Sequence, residues 1–323
     1  MRTRLSVLDQ SPVGEGFSHA DALSSSVDLA RLAEELGFAR FWVAEHHGSP
    51  GFAGTAPEIL AAVLLARTER ITVGTGGVLL PRYTPGKVAE VFGVLASLYP
   101  GRVDMGLGRA GGPAEDYPER VLLLRRMLGM GGEGLGLPGV APAVPPRMWL
   151  LGAGLGSAHL AGRLGTDFAF AHFLNPGPAT AALTAYRESV VPDGGGPAPG
   201  AGVLAVRAVT AESEAEAEAL AQSILLWRSR KDLGDDLPLP TPRAARNHRW
   251  TALEAERAAV RGRSLVWGTP DQVHARLVRL AEEHGVEEIM VNTLTCDPED
   301  RLRSYRLLAE HAAAVPVEAA AGV

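Results

Sequence analysis

Between Leu5 and about residue 312, short apolar runs alternate with longer amphipathic ones, and no feature of the chain restricts its fold more. Runs at 5–8, 41–44, 71–74, 102–106, 148–151, 168–171, 202–209, 264–267 and 288–292 read as strands buried on both faces, as in a parallel sheet. Segments 22–36, 57–67, 87–98, 118–128, 157–164, 179–189, 213–227, 270–284 and 298–312 read as the helices between them, with Gly37 closing the first and Pro57 opening the second. About eight βα units in one chain favour a closed (β/α)8 barrel, a TIM barrel, over a doubly wound sheet. The barrel domain is expected to span 1–314, with 315–323 a frayed tail.

Two stretches interrupt the alternation. The Gly/Pro-rich connector 129–146 reads as a long loop, because the alternation resumes unchanged after it. Segment 228–263 is polar and carries prolines, so it is expected to be a lid-like, mobile insertion late in the chain. Hydrophobic residues make up 46 % of the chain, enough for a sizeable core, yet no apolar stretch approaches the roughly 20 residues a bilayer span takes. A formal charge of −6 gives no general attraction for nucleic acid or an anionic membrane. One cysteine, Cys296, allows neither an internal disulfide nor a cysteine-built metal site, which fits a reducing cytoplasm.

Chemistry is expected where strands give way to loops. Glu45, His46 and His47 directly follow the run Phe41-Trp42-Val43-Ala44. Adjacent histidines on an extended segment point to opposite sides, so one of the pair at most faces a site. A histidine near neutral pKa suits proton transfer, and the competing reading is a strand-end hydrogen bond. No HExxH, HxH or cysteine cluster supports a metal. The glycines of Val73-Gly74-Thr75-Gly76-Gly77 permit a flat group to lie against the backbone, or serve only a tight turn. Arg109, among the glycines 106, 108, 111 and 112, is placed to hold a phosphate, unless it is an ordinary solvated arginine. Gly152-Ala153-Gly154-Leu155-Gly156-Ser157 falls between a strand and a helix. It misses the dinucleotide fingerprint at Ser157 and reads as a phosphate cradle in which Ser157 donates its hydroxyl. In a barrel these loops converge on one rim.

With those residues in place, the chain resembles the bacterial luciferase-like flavin monooxygenases from about Leu5 to about Leu308. The matches are Glu45-His46-His47, Val73 to Gly77 with Leu80-Pro81, Gly101-Arg102 with Gly106 and Arg109, and Gly268-Thr269-Pro270. The resemblance implies a barrel that binds FMN, often a homodimer packed through early helices, with a non-proline cis peptide at Gly76-Gly77. It implies phosphate contacts from Arg109 and from Gly154, Gly156 and Ser157, and catalysis through His46. The family's reactive cysteine position is Gly108 here, so thiol chemistry is not expected.

The function so implied is an FMNH2-dependent, two-component monooxygenase. A separate NAD(P)H:flavin reductase supplies the flavin, and one atom of molecular oxygen enters an organic substrate as a hydroxyl, epoxide or ester. Glu45, His47, Tyr83 and Phe173, with Phe17, Phe52 and Trp250, are candidates for lining a pocket for an aromatic or polyketide-like secondary metabolite, a tailoring step of the antibiotic-biosynthesis kind. The rivals are deazaflavin (F420)-dependent hydride transfer on the same barrel and a non-catalytic flavin-binding protein.

Overall fold

Nine segments carry the dense apolar runs that a doubly buried strand requires, and eight of them close into a parallel barrel. The computed structural model describes residues 3–130, 139–191 and 200–315. Parts of the 129–146 connector and of the expected tail, 131–138 and 316–323, lie outside the described residues. In chain order the elements are β1 (Arg4–Asp9), α1 (His19–Glu35), β2 (Arg40–Val43), α2 (Pro57–Arg67), β3 (Thr72–Thr75), β4 (Val78–Leu79), α3 (Pro85–Leu98), β5 (Val103–Gly108) and α4 (Tyr117–Met127). Then come β6 (Arg147–Gly152), α5 (Leu155–Arg163), β7 (Asp167–Ala171), α6 (Ala179–Ser189), β8 (Val203–Thr210), α7 (Glu214–Asp232), α8 (Pro242–Asn247), α9 (Ala252–Gly262), β9 (Leu265–Gly268), α10 (Pro270–His284), β10 (Glu288–Asn292) and α11 (Pro298–Ala314). The barrel order is β1-β2-β3-β5-β6-β7-β8-β10, closed by β10 against β1.

The ninth strand belongs to the late insertion and not to the ring. β9 pairs with the upper half of β8, Arg207 to Thr210, outside the closed ring. The late insertion therefore runs from 211 to 268 and is helical throughout much of its length. Segment 228–263 begins inside α7 and continues as α8 and α9, not as an irregular loop. The prolines mislead because Pro242 occupies the first turn of a helix, where a missing N–H costs nothing. α9 is opened by a capping box between Thr251 and Glu254.

The inside of the barrel is layered by strand parity. At the bottom Arg40 lies between two buried carboxylates, Asp104 (2.8 Å) and Glu288 (2.9 Å), and Ser6 donates to Glu288 at 2.6 Å. Trp42 Nε1 donates to Asp104 at 2.8 Å, tying this layer to the apolar one above, where Trp42 and Trp149 meet edge-on at 5.0 Å. Leu8, Ala169 and Met290 complete that apolar layer. The next inward positions reach the rim.

One interruption in the wall matters for the site. β3 ends at Thr75, the Gly76-Gly77 peptide is cis, and β4 resumes the pairing with β5 two residues later. Thr75 Oγ1 both donates to Gly106 O (2.9 Å) and accepts from Gly106 N–H (3.2 Å), taking ladder positions the backbone leaves open. A Cβ at Gly106 would stand 2.0 Å from Thr75 O, and one at Gly77 would stand 2.6 Å from Gly106 O. These glycines are required by strand approach behind the cavity wall.

Candidate active site

A cavity of about 790 Å³ opens at the C-terminal rim, within the range of small-molecule and cofactor sites. Strand ends converge on it as parallel connectivity demands: Gln10 after β1, His46 after β2, Gly76 and Gly77 after β3, Arg109 after β5, Ser157 after β6 and Phe173 after β7.

Glu45 is the hub of the β2 end. Its side chain is buried, and Oε1 accepts from Tyr83 Oη (2.8 Å) and faces His47 Nε2 (2.5 Å). Its Oε2 accepts the Leu79 N–H at 2.8 Å. The carboxylate therefore pins β4 and the turn after it to the histidine segment. Burial, then the hydrogen bond to Glu45 and its charge, push the Tyr83 phenol up to about 12. Tyr83 itself stands outside the cavity lining, because that hydrogen bond holds it behind Glu45. Phe17 and Trp250 also lie outside it, whereas Phe52 and Phe173 line it.

His46 and His47 part company, as alternation along an extended segment requires. His47 pairs with Glu45, while His46 stacks on Phe52 with ring centroids 4.1 Å apart. The protonation state of His46 follows from its neighbours. Arg207 can only donate, and its Nη2 takes Gln10 Oε1 at 3.0 Å. That leaves Gln10 Nε2 facing His46 Nε2 at 3.1 Å, so the imidazole nitrogen must be the acceptor. The ring is neutral, with its proton on Nδ1, which is buried without a partner among the described residues. Burial, then the charges of Lys231 and Arg207, lower His46 to about 4.

The phosphate candidates fall on neighbouring loops. Arg109 is exposed at the cavity edge and has no carboxylate partner among the described residues. Gly154 is the N-cap of α5 and supplies no side chain to its first-turn N–H groups, which are left open for an anion. Gly156 is exposed in that first turn, with open space where a side chain would stand. Ser157 lines the cavity, its Cβ packed so close to Gly152 that a side chain at 152 would stand 2.3 Å away. Gly154 and Gly156 shape this cradle without facing the cavity directly. The donor set, an unpaired arginine and an uncapped helix start, fits the phosphate of a flavin mononucleotide, and the apolar layer of Leu8, Trp42 and Met290 fits its ring. Among the described residues, no three His, Cys, Asp or Glu side chains group as metal ligands.

Sequence reasoning missed the opposite wall. Arg207 on β8 and Trp227, Arg228 and Lys231 on α7 all line the cavity. Arg207 was visible as a charged residue inside the apolar run Val203-Leu204-Ala205-Val206-Arg207-Ala208-Val209. The α7 residues carried no such mark, since they meet the rim only through the path of the insertion.

Residues 3–122 match the family described as luciferase-like monooxygenase. The chain is 35 % identical to a luciferase-like monooxygenase of Escherichia coli, over 94 % of its own length and 95 % of the relative's. It is 31 % identical to an N-acetyl-S-alkylcysteine monooxygenase of Bacillus subtilis, over 95 % and 97 % of the two chains. The crystal structure of apo-MsnO8 superposes with a TM-score of 0.88 at 39 % identity, covering 98 % of this chain and 100 % of that one. Two more distant structures share the fold alone. One is the oxygenating constituent of the Pseudomonas putida 3,6-diketocamphane monooxygenase with FMN (18 % identity, TM-score 0.71, 98 % and 100 % covered). The other is an F420-dependent secondary alcohol dehydrogenase (16 %, 0.69, 97 % and 99 %).

Proposed function

The chain belongs to the luciferase-like monooxygenases, a family of oxidoreductases, and from that premise we propose that it is an FMN-dependent monooxygenase supplied with FMNH2 by a separate NAD(P)H:flavin reductase. The observation that carries this reading is the open anion site, Arg109 and the uncapped start of α5 on the loops after neighbouring strands β5 and β6, at the edge of a cavity of about 790 Å³ floored by apolar side chains. Reduced FMN, when bound, supplies the electrons that activate molecular oxygen for insertion as a hydroxyl, epoxide or ester. Arg109 and the first-turn N–H groups of α5 hold the phosphate. Leu8, Trp42, Phe173 and Met290 keep water from the reacting centre. His46, neutral at pH 7, would serve as a base through Nε2 once that nitrogen gives up the Gln10 amide N–H it accepts. His46→Ala is expected to bind FMN and lose coupled product. The substrate is an organic molecule with an apolar body, of the secondary-metabolite class.

No helix among the described residues is long and apolar enough to cross a membrane. Ile59 and Val63 on α2 and Val94 and Leu98 on α3 are exposed, which supports association with a second copy through these early helices. The deciding experiment mixes the protein, loaded anaerobically with FMNH2, against oxygenated buffer and follows flavin absorbance. Reoxidation at a rate distinct from that of free FMNH2 is expected, and Arg109→Gln is expected to weaken FMN binding about 10- to 100-fold, the loss of charge-assisted bonds. Reoxidation identical to free flavin, together with tighter binding of F420 than of FMN, would transfer the reading to deazaflavin hydride transfer.

A further inference from the structure

Arg207 is the least expected side chain of the cavity. It is 6 % exposed, and its partners are both neutral: Nε donates to Asn292 Oδ1 and Nη2 to Gln10 Oε1, each at 3.0 Å. Among the described residues no carboxylate pairs with it and Nη1 makes no hydrogen bond, and Nη1 is not sealed off as Arg228 Nε is. A guanidinium buried without a counter-ion is costly, so its retention at a cavity wall calls for an anion that arrives with a ligand.

The rest of this wall repeats the imbalance. Asp232 is shared by Arg228 (2.8 Å) and Arg261 (2.6 Å), and Asp236 takes Lys231 at 2.6 Å. With Arg207, four cations therefore face two carboxylates. Among the described residues Arg228 Nε is buried without a partner, as is one oxygen of Asp236, Oδ1. Arg207 lies 4.9 Å from the Phe173 ring centroid and Lys231 lies 5.1 Å from that of Phe52, so the positive groups are set among apolar faces. β8 stands three strands round the barrel from β5, which Arg109 directly follows, so this excess is separate from the phosphate site.

We propose that the wall formed by Arg207, Lys231 and Arg228 binds the carboxylate of the substrate, which is an organic acid with an apolar body reaching across the cavity. Its description as substrate rests on the monooxygenase reading above; the carboxylate site itself does not.

The test is calorimetric titration of the full chain, with and without saturating FMN, using 3-phenylpropanoate and its neutral counterpart 3-phenylpropanamide. The acid is expected to bind at least tenfold more tightly than the amide in both states. Arg207→Gln and Lys231→Gln are each expected to cost the acid tenfold or more while leaving the amide and FMN affinities within twofold; Lys231, being less buried, keeps the test valid if the Arg207 variant folds poorly. Equal or undetectable binding of acid and amide, or acid binding unchanged in both variants, overturns the proposal. Displacement of the acid by FMN also overturns it, because the anion would then sit at Arg109. FMN affinity, read separately by flavin fluorescence, reports on the monooxygenase reading, so the two ideas fail independently.

Discussion

Placing His46 beside Lys231 and Arg207 should make this residue contribute to a fall in the protein's stability with acid. Its value drops from 6.5 in the unfolded chain to about 4 in the fold, through burial and then the two cations. Because the folded value is the lower, the unfolded state takes up the proton first. The contribution of His46 is therefore complete above about pH 6.5 and is lost as pH falls towards about 4. A shift of this size corresponds to about 3 kcal/mol across that window, at 1.36 kcal/mol per unit, as an upper figure for a side chain that water partly reaches. His172 is also lowered to about 4, chiefly by burial, and His284 is lowered, so the wild-type slope contains all three. Urea unfolding of wild type and His46→Gln at pH 7.5, 6, 5 and 4.5 isolates the His46 share as the change in their difference. The wild-type advantage should shrink by about 2 to 3 kcal/mol over that range. A constant difference, or an imidazole titrating above pH 6 by NMR, would refute the placement of His46 between these cations.

Three further outcomes follow from the packing. Glu45→Gln presents an amide N–H to one of three donors and should cost about 2 kcal/mol in urea unfolding at pH 7, while the Tyr83 phenol moves back down from about 12; a cost under about 0.5 kcal/mol would remove Glu45 as the hub. Asp104→Ala strips one of the two carboxylates from buried Arg40 and the acceptor from Trp42, and a loss of about 3 kcal/mol is expected from the same assay. Cys296 is buried and its thiol is pushed up to about 11, so iodoacetamide at pH 8 should modify the native protein about 100-fold more slowly than the urea-unfolded chain.

Much of the architecture was legible because burial on both faces leaves a local mark. Helices α2, α6 and α10 and strand β10 stand at the residues the pattern marks, since proline starts or an apolar stripe bounded them in the chain itself. The extra strand β9 was not separable from the barrel strands, because its apolar run Leu265-Val266-Trp267 looks like theirs and only its partner differs. α8 and α9 were read as loop because polar composition obscured their capping.

The site divides along the same line. Composition and spacing alone determined a barrel with an anion-compatible loop at Arg109 and a histidine at the end of β2, because each depends on residues adjacent in the chain. Only tertiary structure decided that Glu45, in the cavity lining, also ties down β4, that Gln10 and Arg207 set the protonation of His46, and that α7 brings Arg228 and Lys231 to the same cavity. Those outcomes depend on electrostatic and hydrogen-bond partners 30 to 200 positions away, such as Tyr83 for Glu45 and Gln10 for Arg207, and barrel closure is what brings such partners within 3 Å.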